Sequence, residues 1–242
     1  MRLQQYLAHC GICSRRRAED LISQGRVSVN GTVVSKLGSK IDPNSDIIIV
    51  DEQECNVDQK VIYAFHKPEG VVSTLSDTHN RASLADYLSD LPVRVFPVGR
   101  LDRDVVGLMI VTNDGDYANR MLHPKFGVGR TYIARVRGHL DEERKAALLG
   151  GIVLKDILGR ADKVRTLNAD SFTHNLLGDA RSRESIIEIC VSEGRKHFVK
   201  LILGAAGLPV IALARISFGP YKLGDLEPGE LREESFLSLS AS

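Results

Sequence analysis

The sequence predicts an α+β protein in two parts: a small αα-β module over residues 1–58 and a mixed, mainly antiparallel β-sheet domain with packed helices over residues 59–242. The first 40 residues hold two short helical patterns and a hairpin signal, and carry seven Lys/Arg against two acids. An acidic stretch follows, with six Asp/Glu and no Lys or Arg over residues 41–58, so an overall charge of +1 conceals a basic head. Beyond it, short apolar runs, Gly- or Pro-marked turns and amphipathic segments are intermixed without a repeating strand–helix–strand order, which favours antiparallel pairing.

The elements follow in order. Leu3, Tyr6 and Leu7 share a helical face that Gly11 ends; Ser14 is placed to cap a second helix, whose Ala18, Leu21 and Ile22 point inward and which stops at Gly25. Arg26 to Val29 and Thr32 to Val34 flank Asn30-Gly31, the dipeptide suited to a type I′ turn, and Asp46 to Val50 supplies a further strand. Past the acidic linker, strands are expected at 61–65, 71–74, 93–98, 107–112, 131–136 and 186–191. Lys67-Pro68-Glu69-Gly70 reads as a turn, and helices are expected over 83–88, around Tyr117, Met121 and Leu122, and over 196–203.

With 43% hydrophobic and 26% charged residues the chain is a folded, not a disordered, protein. Its longest apolar stretch, Leu201 to Ala214, is broken by Gly204, Gly207 and Pro209 and falls short of the roughly 20 residues a bilayer requires, so no membrane association is expected. Behind Arg2 there is no apolar segment of a secretion signal, and a cytoplasmic location is expected. Cys10, Cys13, Cys55 and Cys190 are too few and scattered for a disulfide framework and are read as reduced. Cys10-Gly-Ile-Cys13 beside His9 has the spacing of half a zinc site, but no second pair completes it, and no metal is expected.

Two regions carry chemistry. Arginines clustered on the small module suit polyanion binding, where neutralised phosphates release counterions; the plainer reading is a solvated helix face. Asp102 lies between two apolar runs, flanked by Arg100 and Arg103, with Gly99 and Gly107 permitting close backbone approach. Such an aspartate is either a nucleophile kept ionised by a cation or one member of a surface turn. A third reading takes Asp102-Arg103-Asp104 as a magnesium-binding Asp-x-Asp, but Pro97, Gly99 and Arg100 interrupt the strand that reading requires. Phosphate-loop, dinucleotide, zinc-protease and serine-hydrolase motifs are absent.

Residues 2–31, with Ser14-Arg15-Arg16, Ala18-Glu19, Gly25-Arg26-Val27 and Val29-Asn30-Gly31, resemble the S4-type RNA-binding domain. That resemblance implies that Arg15, Arg16, Arg17 and Arg26 meet RNA phosphates, contacts that position without specifying sequence. Gly99-Arg100-Leu101-Asp102, then Gly107-Leu108 and Thr112-Asn113-Asp114-Gly115, resembles the catalytic motif of the pseudouridine synthases, in particular the bacterial ribosomal-RNA branch of RsuA and RluB type. Lys67-Pro68-x-Gly70, Arg130-Thr131-Tyr132, Glu193-Gly194-Arg195-Lys196-His197 and Gly219-Pro220 agree with it.

The resemblance implies isomerisation of uridine to pseudouridine within ribosomal RNA or a pre-ribosomal particle, with the large subunit weakly preferred, by a monomer without metal or organic cofactor. It assigns Asp102 as the catalytic nucleophile, Tyr132 as the residue stacking on the target base, Lys200 as the cation paired with the aspartate, and Arg100 as the side chain filling the gap left by the flipped nucleotide. Read from pattern alone, Tyr132 is a core aromatic and Lys200 an exposed helix charge. Val105, Val106, Phe198, Leu201 and Ile202 depart from the family pattern and remove polar groups expected to face RNA. The departures at Phe198, Leu201 and Ile202 keep open a rival reading, a non-catalytic RNA-binding or assembly factor on the same fold.

Overall fold

The computed structural model describes residues 1–155 and 157–239, and it divides into two compact units. One consists of Met1–Val61 with the short segments Ser89–Val95 and Asn113–Gly115; the other holds the rest.

In the first unit, helix α1 (Leu3–His9) ends where Gly11 turns with φ +71°, and helix α2 (Arg15–Ser23) begins at Ser14, whose Oγ accepts from the Arg17 amide at 3.2 Å. Ala18, Leu21 and Ile22 face inward onto Leu3, Tyr6 and Leu7, giving this unit its own apolar core. Strands β1 (Val27–Val29) and β2 (Thr32–Val33) close around Asn30 and Gly31, both with positive φ as a type I′ turn requires. Strands β3 (Ile48–Val50) and β4 (Gln53–Glu54) complete a sheet in the order β2-β1-β3-β4. The acidic stretch is therefore no linker along its length. Its apolar Ile48 and Val50 are buried, and Asp51 and Glu52 form the turn between two strands.

The second unit opens with β5 (Ile62–Lys67), α3 (Ala85–Leu88), β6 (Phe96–Pro97) and β7 (Val105–Thr112). Next come α4 (Gly115–Leu122), β8 (Arg130–Arg137), α5 (Glu142–Gly150) and the hairpin β9 (Ile152–Leu154) and β10 (Ile157–Gly159). The chain finishes with β11 (Lys163–Leu167), α6 (Ser171–Leu177), β12 (Glu184–Val191), α7 (Phe198–Ala205), β13 (Val210–Phe218), β14 (Tyr221–Lys222) and β15 (Leu231–Glu233). The main sheet runs β11-β12-β8-β13-β7-β5-β15, and β7 with β13 is its parallel pair among antiparallel neighbours.

Two expectations need correction. Residues 71–74 form no strand; Val72 and Thr74 bond to the 82–84 segment, because Ser73 is drawn to the Asp102 loop instead. The extended stretch at 93–98 forms a strand over Phe96–Pro97 alone among its described residues, with the Val98 amide adding one further bond to the Ile110 carbonyl of β7 at 2.7 Å. Strand β7 is buried almost throughout, with α4 packed against its core through Tyr117, Ala118 and Met121. It thereby anchors one end of the loop that holds Asp102.

Candidate active site

The loop from Gly99 to Asp104 is held by the segment after β5. Ser73 Oγ donates to the Leu101 carbonyl at 2.6 Å and accepts from the Leu101 amide at 3.1 Å. The Gly70 amide donates to the Arg103 carbonyl at 2.8 Å, and Arg103 Nε returns a bond to the Gly70 carbonyl. Beneath them Lys67, with no exposed surface, aims its ammonium at the carbonyls of Pro68 and Val71, both at 2.8 Å, and more distantly at that of Arg103. Burial pushes this lysine down to about 8, while the nearby Asp104, Glu69 and Asp102 charges oppose the shift. At the far end the Val105 amide bonds back to the Asp102 carbonyl. The expected close approach of Gly107 is present: a Cβ there would lie 2.3 Å from the Arg215 carbonyl oxygen.

Asp102 is partly exposed at the edge of a cavity of about 300 Å³. Its Oδ2 meets His197 Nδ1 at 2.7 Å and Lys200 Nζ at 3.8 Å, and its Oδ1 has no hydrogen-bond partner among the described residues. Lys200 is thus near the carboxylate, but its tighter partner is Asp104, whose two oxygens it reaches at 2.8 Å each. That bond holds the Asp104 carboxyl below the usual carboxylate range. His197, absent from the sequence-derived site, is the nearer partner of Asp102. It sits just before α7 in a left-handed backbone (φ +56°), with Phe198 and Val199 buried behind it. Its one signal in the sequence was its place at the end of Glu193-Gly194-Arg195-Lys196-His197.

Tyr132 on β8 is half-buried in the cavity wall, opposite Arg215 on β13 in the sheet register. Arg100 is exposed on the cavity lining, as are Arg195 and Lys196. Of the five departures, Val105, Phe198 and Ile202 are core residues and Val106 packs on the apolar cluster beneath the sheet; Leu201 alone is exposed. The structure brings Asp102, Tyr132, Lys200 and Arg100 to one cavity and adds His197, Arg130 and Arg215.

The arginines of the first unit stand apart from this geometry in kind. Arg15, Arg16 and Arg17 are exposed on the first turn of α2, with Arg17 loosely paired to Asp20 at 3.8 Å. Arg26 is engaged in a two-pronged pair with Asp51. Asp51 is held below the usual range by Arg26 first and feels the Arg17 charge as well.

Residues 61–205 match the model of the RNA pseudouridylate synthase family, and residues 1–47 match that of the S4 domain. The chain belongs to the RNA pseudouridylate synthase family. It is therefore an isomerase acting on RNA, built on the α+β fold that the motifs implied. Among similar proteins, an RNA pseudouridine synthase of Aquifex aeolicus is 40% identical over 96% of this chain and 90% of its own length. Ribosomal large subunit pseudouridine synthase B of Bacillus subtilis is 37% identical over 96% of this chain and 91% of its own. A crystallised pseudouridylate synthase superposes with a TM-score of 0.64 at 26% identity, covering 97% of this chain and 96% of that one. In this synthase no helix among the described residues is long and apolar enough to cross a membrane, and no group of three or more potential metal-ligating side chains converges there.

Proposed function

We propose that this synthase isomerises a uridine of ribosomal RNA, the large-subunit RNA ahead of the small, with Asp102 as nucleophile toward a flipped-out nucleotide. The observation that carries the proposal is a carboxylate at a cavity edge with one oxygen held by His197 and Lys200 and the other without a hydrogen-bond partner among the described residues. A carboxylate fixed in this way needs no reorganisation before it attacks. Tyr132 supplies an aromatic face for the base, Lys200 keeps the anionic site compensated, and exposed Arg100 occupies the stack vacated by the nucleotide. Residues 1–58 act as the RNA-holding module, in which Arg15, Arg16, Arg17 and Arg26 meet phosphates. The names of the Bacillus relative and of a similarly named Pseudomonas aeruginosa protein, 36% identical over 96% of this chain, favour the large subunit.

The test is pseudouridine mapping of ribosomal RNA from cells with and without the protein, joined to Asp102→Asn in vitro. One site should be lost in the deletion, and the variant should bind RNA while forming no product. An unchanged map, or product from Asp102→Asn at the wild-type rate, refutes the assignment. A non-catalytic factor would give no product from the wild type; buried Phe198 and Ile202 remove most of the support for that rival, because they fill core rather than forfeit RNA contacts.

A further inference from the structure

Two buried guanidiniums lie on the cavity floor without a carboxylate partner among the described residues. Arg215 is 2% exposed; its Nε donates to the Leu108 carbonyl at 2.8 Å and its Nη2 makes no hydrogen bond. Arg130 is 5% exposed and reaches the Ser192 carbonyl at 3.1 Å. Both lie over the ring of Phe218, at 4.9 Å and 4.6 Å. Burial, followed by the charge of Arg215, pushes the Arg130 guanidinium below its ordinary value, so the two charges sense one another.

Like charges buried together are unfavourable, and apolar residues would fill this space more stably. The charges therefore point to a transient negative partner. Phosphates are served by the exposed Arg195 and Lys196 of the cavity lining, which leave them hydrated. The floor lies next to Tyr132, where the base is placed in our reading.

In that reaction the C1′–N1 bond breaks and its electron pair leaves with the uracil. Asp102 loses its negative charge at the same time, either by bonding to the sugar or by taking a ribose proton. Negative charge thus moves from the carboxylate held by His197 and Lys200 to the detached base, spread over ring nitrogen and both carbonyl oxygens. It stays there until C5 bonds to C1′, a step that breaks the Asp102–C1′ bond, or returns the ribose proton from Asp102 to the sugar, and so restores the carboxylate; the neutral adduct then loses the C5 proton and gains one at N1.

We propose that Arg215, supported by Arg130, forms an electropositive floor that stabilises the detached uracil anion while it turns. A guanidinium field is suited to a rotating anion because it acts on whichever oxygen faces it. This inference rests on the proposed uridine chemistry.

The experiment is single-turnover conversion of an RNA fragment containing the target uridine, with RNA affinity measured in parallel. Arg215→Met should lower the rate constant by about 100-fold, the scale of losing one preorganised charge-stabilising donor. RNA affinity should stay within about threefold, since the interaction forms only after bond cleavage. Arg215→Lys should recover about tenfold of the loss by restoring the charge without the planar fork. A rate for Arg215→Met within about fivefold of wild type, or a loss lying wholly in RNA affinity, overturns the inference and leaves the synthase reading intact. A wild type that forms no pseudouridine defeats both.

A measurement on the wild-type enzyme covers the case in which Arg215→Met does not fold. Barbiturate, a planar pyrimidine anion at neutral pH, should inhibit at about tenfold lower concentration than neutral dihydrouracil. Equal potency, or no inhibition by barbiturate up to its solubility, refutes the floor.

Discussion

Gly107→Ala tests how the Asp102 loop is anchored. Gly107 pairs with Arg215 in the parallel junction between β7 and β13, at φ +101°. An added Cβ would lie 2.3 Å from the Arg215 carbonyl oxygen and 2.9 Å from its amide nitrogen. Backbone cannot swing aside as a side-chain tip does, so the strands must part by on the order of 1 Å to reach ordinary contact. The positive φ costs alanine about 1–3 kcal/mol and the overpacking about 1–3 kcal/mol more, giving roughly 2–6 kcal/mol in all. That is a large share of the about 5–15 kcal/mol that holds a domain together.

Urea titration followed by circular dichroism should show the loss in the transition assigned to the larger unit, with pseudouridine formation falling alongside because β7 begins three residues after Asp102. Gly204→Ala is the control: it lies inside α7 with nothing within 4 Å of its would-be Cβ, and should gain about 0.5–1 kcal/mol. A Gly107→Ala protein within about 1 kcal/mol of wild type would show that the two strands are not held as closely as this register requires.

Other perturbations address separate features. Folding lowers the Lys67 ammonium to about 8 from about 10.4 in the unfolded chain, so the unfolded state binds the extra proton between those values and stability rises with pH there, by up to about 3 kcal/mol; the stability difference between wild type and Lys67→Met should grow accordingly from pH 7.5 to 10, and a pH-independent difference refutes the buried charge. Lys200→Met removes an attraction of at most about 4 kcal/mol at 3.8 Å from Asp102, which partial exposure roughly halves, so product formation should fall about 30-fold with RNA binding retained; activity within about threefold of wild type would mean that Lys200 serves Asp104 alone. Reversing Arg15 and Arg16 to Glu should weaken RNA binding and flatten its dependence on log salt by about one unit of slope per lost phosphate contact, and an unchanged slope in a binding titration counts against an RNA-facing α2. Arg215→Met should melt no lower than wild type, since an apolar residue replaces an unpaired buried charge; a strongly lowered midpoint would make Arg215 structural.

Local signals in the sequence located what is local in the fold. Ser14 at a cap, Gly11 and Gly25 at helix ends, and Asn30-Gly31 at a hairpin each act over a few residues, and all are where they were expected. Strand β13 was hidden because the apolar run from Leu201 to Ala214 spans the end of α7, a turn and a central strand without the alternation of a half-exposed one. The opposite error at residues 71–74 has a similar origin: three β-formers, Val71, Val72 and Thr74, satisfy the propensity, but no neighbouring strand offers a ladder there. In the candidate site, the gathering of Asp102, Tyr132, Lys200 and Arg100 around one cavity was expected from motif resemblance, while the role of each belongs to the proposal. His197 was not, because its role depends on a left-handed backbone before α7 that no spacing rule reveals. Arg215 left a faint mark, a cation within the otherwise apolar Leu213-Ala214-Arg215-Ile216, and only the β7–β13 pairing shows that it is enclosed.

The buried lysine and the buried arginines point to one design principle with two parts. Lys67 is directed wholly at carbonyl oxygens of the segment that clamps the loop, so its charge is used to fix backbone and not to meet substrate. Arg215 keeps a donor in reserve. On the proposed chemistry, a loop carrying a nucleophile must hold its carboxylate within a fraction of an ångström, and a site that detaches a base must still compensate the charge once it has left the carboxylate. One cation cannot do both: bonded to the loop it is unavailable to the base, and free to follow the base it cannot fix the loop. On that reading the separation of Lys67 beneath the loop from Arg215 and Arg130 on the cavity lining meets both demands, with His197 and Lys200 beside the carboxylate where the proposed charge transfer begins.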